Sequence, residues 1–264
     1  MNILFCGDSN VCNGIALSAL SICKNTSEAV SFYILTADIE NHYSIKMEFA
    51  DKLEAVIKTK NQNNKVFLIN ITESFKSYMP LANMGTRFTP FCMLRLFADT
   101  VPQIPDRILY LDTDVLCKSN FSDLYNTDMQ NAEIAGVPDR YGKWFFGNIL
   151  KHNYLNSGVL LLNMKNIRKS GLFKKCRDMC RDKKMFMPDQ SALNKLATKR
   201  KLPQKYNEQG KIKGNTVFKH FTTFFKFFPI IHTVTVKPWD TEALHTKLHI
   251  FEFDDIINEY QRSK

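Results

Sequence analysis

Short apolar runs alternate along this chain with longer stretches in which apolar positions recur every three or four residues. Residues 3–6, 29–35 and 66–69 have the length and content of strands, and 108–111 is apolar on both faces, which suits a strand buried in a parallel sheet. Between them, Ile15, Ala19 and Ile22 mark one helical stripe and Ile45, Phe49, Leu53 and Val56 another. Strands and helices alternating at these lengths predict βαβ units around a mostly parallel central sheet flanked by helices. Right-handed crossovers then gather neighbouring loops on one edge.

Further on, residues 87–98 predict a helix with Pro90 near its first turn, where proline is tolerated. A short helical turn follows at 121–125, then a strand over 133–137 that ends at Pro138-Asp139. Residues 154–163 read as a strand entered through Asn156-Ser157-Gly158. One basic helix is expected over 167–183, another helix over 190–197 with Asp189 placed as its N-cap, a strand over 216–221, and a terminal helix over 254–260. The expectation is one α/β domain over 1–240 with a C-terminal helical appendage over 241–264.

Composition narrows the class. At 264 residues the chain can bury a sizeable core. Its opening apolar run is too short for a secretory signal and lacks a basic start, and no stretch approaches the roughly 20 apolar residues of a membrane span. The most apolar segment, 224–231, is interrupted by Lys226 and Pro229. Seven cysteines without a Cys-x-x-Cys fit the reduced thiols of a cytoplasmic protein, and Cys176 with Cys180 would share a core-facing helix stripe. His245 and His249 lack the glutamate of a zinc-protease helix and read as surface residues. The net charge of +10 is concentrated in 165–219, which holds 17 Lys/Arg against 4 Asp/Glu. Such a face attracts phosphorylated ligands, nucleic acid or anionic lipid, or simply solubilises a helix surface, and composition does not separate these.

The chemistry centres on Asp112-Thr-Asp114, which ends the apolar run at 108–111. Ligands of open α/β sheets bind outside the carboxyl ends of the strands, and two acids there repel unless a cation lies between them. An Asp-rich turn is the plainer alternative. Asp8 and Asn10 follow the first strand, where they would hydrogen-bond a nucleoside or cap a turn. Arg95 interrupts an apolar helix, so it needs either a structural ion-pair partner or a ligand.

Taken together, Arg-Ile-Leu-Tyr-Leu-Asp-Thr-Asp-Val, Leu-Asn-Ser-Gly-Val-Leu-Leu-Leu-Asn, Asp-Gln-Ser-Ala-Leu-Asn and His...Lys-Pro-Trp stand in the order of glycosyltransferase family 8, which the chain resembles over nearly its whole length. The resemblance implies a single GT-A type nucleotide-sugar-binding domain and a retaining hexosyltransferase that uses UDP-galactose or UDP-glucose. Manganese would be the metal, since magnesium rarely takes nitrogen. Carried over residue by residue, Asp112, Asp114 and His220 would hold the metal, with His232 as rival to His220. Asp8 and Asn10 would hold uracil and ribose, and Lys237 the diphosphate. Arg95, Asn156, Ser157, Asp189 and Gln190 would surround the donor sugar, with Gln190 stabilising its far face and Asp189 the alternative nucleophile. Two departures stand out. Val11 replaces the aromatic that often stacks on uracil in this family, and a long insert separates His220 from Lys237.

The implied acceptor is a saccharide or a lipid-linked glycan, reached in the cytoplasm or from the anionic inner membrane face through the basic surface and the aromatic segment near Phe224. A nucleic-acid binder is the contrasting reading and gives the paired aspartates no role. A nucleotidyltransferase, releasing pyrophosphate, and a non-catalytic nucleotide-sugar scaffold are the others.

Overall fold

A computed structural model describes residues 1–85, 90–140, 153–226 and 232–263, without the side chains of 224–226 and 232. Its centre is a seven-stranded sheet in the order β3-β2-β1-β4-β7-β6-β8. The strands are β1 (Asn2–Cys6), β2 (Ser31–Thr36), β3 (Lys65–Asn70), β4 (Arg107–Leu111), β6 (Ile134–Pro138), β7 (Leu155–Asn163) and β8 (Lys199–Lys201). β1 pairs in parallel with both β2 and β4, as β2 does with β3 and β6 with β8, whereas β7 runs antiparallel to β4 and β6. The chain moves outward from β1 through β2 to β3 and then returns to β4 on the other side. The β1/β4 junction is therefore the switch point, where a crevice opens beyond the strand ends.

Alternate residues of the same strands feed two cores. Leu4, Tyr33, Leu35, Ile108 and Tyr110 face one side, packing against 90–100 and the basic helices. Ile3, Phe5, Phe32, Ile34, Leu109 and Leu111 face the other, packing against α1 (Cys12–Lys24) and α2 (Met47–Lys58), while α3 (Thr72–Lys76) and α4 (Ser122–Tyr125) are short. Burial on both faces is why these strands lack polar alternation.

Several elements differ from the sequence expectation, each for a local reason. The segment Pro90–Thr100 is a 3-10 helix, and residues 87–89 of the expected helix lie outside the described set. The basic stretch forms two helices, α5 (Met164–Ser170) and α6 (Leu172–Asp182), because Gly171 takes φ 65°, a left-handed conformation that ends the first. Arg177 turns inward from α6 and pairs with Asp99. β8 is all lysine and arginine and carries no apolar signal, yet it closes one edge of the sheet. Phe218–His220 (β9) does not join the central sheet but pairs antiparallel with β5 (Val115–Cys117), directly after the aspartate pair. Of the aromatic segment, Phe224–Lys226 (β10) pairs with His232–Val234 (β11), and 227–231 lie outside the described residues.

Residues 241–263 pack back on α1. Phe253, Ile256 and Ile257 cluster with Leu17, Leu20 and Phe221, and the Tyr260 hydroxyl donates to Asn13 at 2.7 Å. Cys176 and Cys180 are core residues. His245 is half-buried against Asp254 at 2.7 Å and stacked on Phe251. Among the described residues, no helix is long and apolar enough to cross a membrane.

Candidate functional site

The crevice beyond β1 and β4 is a cavity of about 490 Å³, and all eleven site residues expected from the sequence line it. Asp8 and Asn10 come from the turn after β1, Asp112 and Asp114 from the turn after β4, and Asn156 and Ser157 from the start of β7. Asp189 and Gln190 come from the first turn of α7 (Pro188–Leu196), His220 from the end of β9, Lys237 from the segment after β11, and Arg95 from the 3-10 helix. Because β7 is antiparallel to β4, its beginning lies beside the end of β4. Residues 45 positions apart in sequence thereby face each other.

Asp112, Asp114 and His220 each offer one ligand atom, all within 4.8 Å of one another. His220 Nε2 lies 3.2 Å from Asp114 Oδ1 and 3.6 Å from Asp112 Oδ2. Donor atoms about 2.1 Å from a six-coordinate ion lie on the order of 3 Å apart in neighbouring positions, so this set fits a divalent cation. Two carboxylates with one imidazole suit manganese better than magnesium. His232 stands on β11, and its side chain lies outside the described residues. Gly158 makes the approach feasible: a Cβ there would lie 2.1 Å from His220 Cε1 and 2.8 Å from Asp112 Oδ2. Lys237 Nζ is 2.5 Å from Asp114 Oδ2. Burial pushes the Asp114 carboxyl up, but the positive charges of His220 and Lys237 outweigh it and hold the group well below the ordinary carboxylate range.

Arg95 is the hub of the other half. Its Nη2 donates to Asp112 Oδ1 at 2.9 Å, its Nη1 to the Ser157 carbonyl at 2.7 Å, and its Nε lies 3.3 Å from Asp189 Oδ2. The guanidinium also sits 3.9 Å over the Tyr110 ring, whose hydroxyl donates to Asp112 at 2.7 Å. Burial works against the charge of Arg95, and Tyr110, Asp189 and Asp112 more than restore it. The ion-pair reading of that arginine is the one seen, and its pairs lie in the cleft. Asp189 is not the N-cap of α7. Met187 holds that position, and the Asp189 carboxylate turns inward, where burial raises its pKa against the opposing pull of Arg95.

Gln190 Oε1 accepts from the Ser157 amide at 2.9 Å and the Ser157 hydroxyl at 3.1 Å. Gln190 Nε2 and Asn156 Nδ2 both donate to Asp139 Oδ2, at 3.3 and 2.8 Å. Asp8 caps the turn 9–11 through the Asn10 amide and also accepts from Asn10 Nδ2 at 2.8 Å, as its turn-cap reading expects. Asp139, His42 and Asn207 are among the lining or supporting residues to which the sequence assigned no role. Asp139 was signalled only by Pro138-Asp139 at a strand end. His42, 2.6 Å from Asp8 Oδ2 and edge-on to Phe91, lies in a loop with no motif. Asn207, behind His220, had no sequence signal.

The sequence profile of glycosyl transferase family 8 matches residues 2–243. A lipopolysaccharide 1,2-glucosyltransferase of Escherichia coli K12 is 27% identical over 270 residues, covering 96% of this chain and 76% of that protein. A lipopolysaccharide 1,3-galactosyltransferase of Salmonella typhimurium is 26% identical over 256 residues, covering 92% and 69%. Among solved structures, the galactosyltransferase LgtC in complex with donor and acceptor sugar analogs superposes with a TM-score of 0.73 at 18% identity, over 100% of both chains. At that identity the likeness establishes the GT-A fold.

Proposed function

The chain belongs to glycosyltransferase family 8 and is a hexosyltransferase, and from that premise we propose that it transfers galactose or glucose, with retention, from UDP-galactose or UDP-glucose to a hydroxyl of a saccharide or glycolipid. Lipopolysaccharide or another surface glycan is the product class favoured by the relatives. The observation that carries this reading is the convergence of Asp112, Asp114 and His220 on one point of the cleft, with Lys237 on one flank and Arg95 on the other.

In this reading Asp112, Asp114 and His220 hold Mn2+. When bound, the ion supplies positive charge to the diphosphate of the donor. Asp8 and Asn10 take the base and ribose, and Lys237 exchanges its contact with Asp114 for a phosphate oxygen, so that charge growing on the leaving group meets a fixed ammonium. Arg95 holds Asp112 and Asp189 apart at set positions. Asn156, Ser157, Asp189 and Gln190 orient the sugar. Gln190 is a poor nucleophile, and its oxygen already accepts two bonds from Ser157. This favours attack by the acceptor on the face the diphosphate leaves, with Gln190 stabilising an oxocarbenium-like state. A carboxylate nucleophile, the usual device of retaining glycosidases, falls to Asp189 in the alternative. Trapping a glycosyl adduct on Asp189 would replace the first version with the second.

In this reading the reaction takes place at the cytoplasmic side of the membrane, with the basic face of 165–219 contacting anionic headgroups to reach a lipid-linked acceptor. That contact predicts salt-sensitive co-sedimentation with anionic vesicles. The deciding test of the function is a panel of nucleotide sugars incubated with Mn2+ and scored for slow donor hydrolysis. UDP release from UDP-galactose or UDP-glucose is expected, and release from neither would overturn the donor assignment.

A further inference from the structure

The long insert between His220 and Lys237 builds part of the wall of the cleft, and its roots are fixed. The Phe221 amide donates to the Asp114 carbonyl at 3.0 Å, and Phe221 and Val236 are buried in a cluster with Leu17, Leu20 and Phe253. Between those roots β10 and β11 pair antiparallel, with Phe224 opposite Val234 and Phe225 opposite Thr233. Successive side chains of a strand point to opposite faces, so this register divides the ribbon. Val234 packs against the buried cluster, whereas Thr233 lines the cavity together with Thr222 and Thr223. Thr223 and Thr235 extend the pairing by one step and share a hydroxyl hydrogen bond at 2.7 Å. The described side chains that the ribbon turns to the cleft are thus threonines.

Their position says what they meet. Same-face attack brings the acceptor hydroxyl in on the side from which the diphosphate leaves. The diphosphate is assigned to the metal set of Asp112, Asp114 and His220 and to Lys237. Thr222 stands two residues after His220 and Thr235 two before Lys237, so an acceptor lying alongside the diphosphate lies against the ribbon. The chemistry agrees. A threonine hydroxyl both donates and accepts, as a sugar hydroxyl does, and neither Thr222 nor Thr233 spends its hydroxyl on another described residue. Their β-branched side chains are stiff at χ1, so little freedom is lost on binding. Uncharged hydroxyls give a phosphate no counter-charge but suit a neutral ligand. We infer that the threonine face of the β10–β11 ribbon is an acceptor subsite, in which Thr222 and Thr233 hydrogen-bond the hydroxyls of a neutral saccharide. This rests on the same-face transfer proposed above.

The test is UDP release from UDP-galactose and UDP-glucose with Mn2+, with and without methyl galactosides, methyl glucosides and lactose as saccharide probes. In wild type at least one probe should accelerate release along a saturating curve. Thr222→Val and Thr233→Val keep the β-branched shape and remove the hydroxyl. Each should raise the half-saturating concentration of that probe about fivefold, and the double variant about twentyfold. KM for the nucleotide sugar should hold its wild-type value, a split that a general loosening of the cleft would not give. Thr233→Ser retains a hydroxyl and should retain wild-type half-saturation. Equal half-saturation in wild type and double variant, or donor hydrolysis that no probe accelerates, would overturn the subsite. Absence of UDP release from both donors is instead a failure of the donor assignment. In that case saturation-transfer NMR of lactose with wild type and double variant decides the subsite alone: a signal lost in the variant supports it, and equal or absent signals overturn it.

Discussion

Replacing Gly158 by alanine tests the site through one methyl group. The added carbon would meet His220 Cε1 at 2.1 Å, Nδ1 at 2.6 Å and Asp112 Oδ2 at 2.8 Å, where ordinary contacts begin near 3.4 Å. The imidazole must therefore retreat by more than about 1 Å, and β7 cannot yield instead, because it is paired on both sides by β4 and β6. Overpacking of this kind costs about 1–3 kcal/mol of stability. A displacement on the order of 1 Å in a catalytic group costs about a hundredfold in rate. The expected outcome is a folded protein with a lowered melting temperature, donor hydrolysis down about a hundredfold and Mn2+ binding weakened in calorimetry. Gly136→Ala, one strand away, is the control. Its methyl would press on Leu160 at 2.8 Å and the Val159 carbonyl at 3.3 Å, so it should lose stability without losing metal affinity. Equal Mn2+ affinity in Gly158→Ala and wild type would refute the placement of His220 in the ligand set.

Asp112→Asn or Asp114→Asn should abolish transfer and Mn2+ dependence with the fold intact by circular dichroism; a variant that kept most of its activity would remove that residue from the metal site. His220→Ala should weaken Mn2+ binding more than His232→Ala, and the reverse order in a titration would exchange the ligand. His42→Ala removes a donor 2.6 Å from Asp8 and should raise Kd for UDP about tenfold while leaving Mn2+ affinity unchanged, as read by calorimetry. Hydrogen bonds from the Ser44 amide and hydroxyl hold the Asp38 carboxyl below its ordinary pKa of 3.8. A carboxyl lowered by folding adds stability above its unfolded pKa and loses it as pH falls through the folded value. The melting-temperature gap between wild type and Asp38→Asn should thus be full at neutral pH and close in acid, and a constant gap would contradict the assignment.

The residues that announced themselves were those whose chemistry conflicts with their local surroundings. Asp112 and Asp114 end an apolar strand and Arg95 interrupts an apolar helix, and each conflict is resolved by the others in the cleft. β8 escaped because a parallel edge strand of three basic residues is held by backbone bonds from β6 rather than by apolar side chains. The break at Gly171 was concealed by helical periodicity that continues across it. Asn207, Asp139 and His42 take their significance from partners 13 to 51 residues away in sequence, the first two brought close by the antiparallel β7 and the β5–β9 ribbon and His42 by the parallel β1–β2 pair. No spacing along the chain encodes those contacts.

The central claim is that two carboxylates at the end of β4 and an imidazole from β9 grip a cation that carries the phosphates of an activated sugar. Its most direct measurement is the anomalous difference density of a crystal soaked with UDP and Mn2+. The account predicts a single peak bounded by Asp112, Asp114 and His220, with the diphosphate against it and against Lys237. A peak elsewhere, or a diphosphate bound far from those side chains, would contradict it.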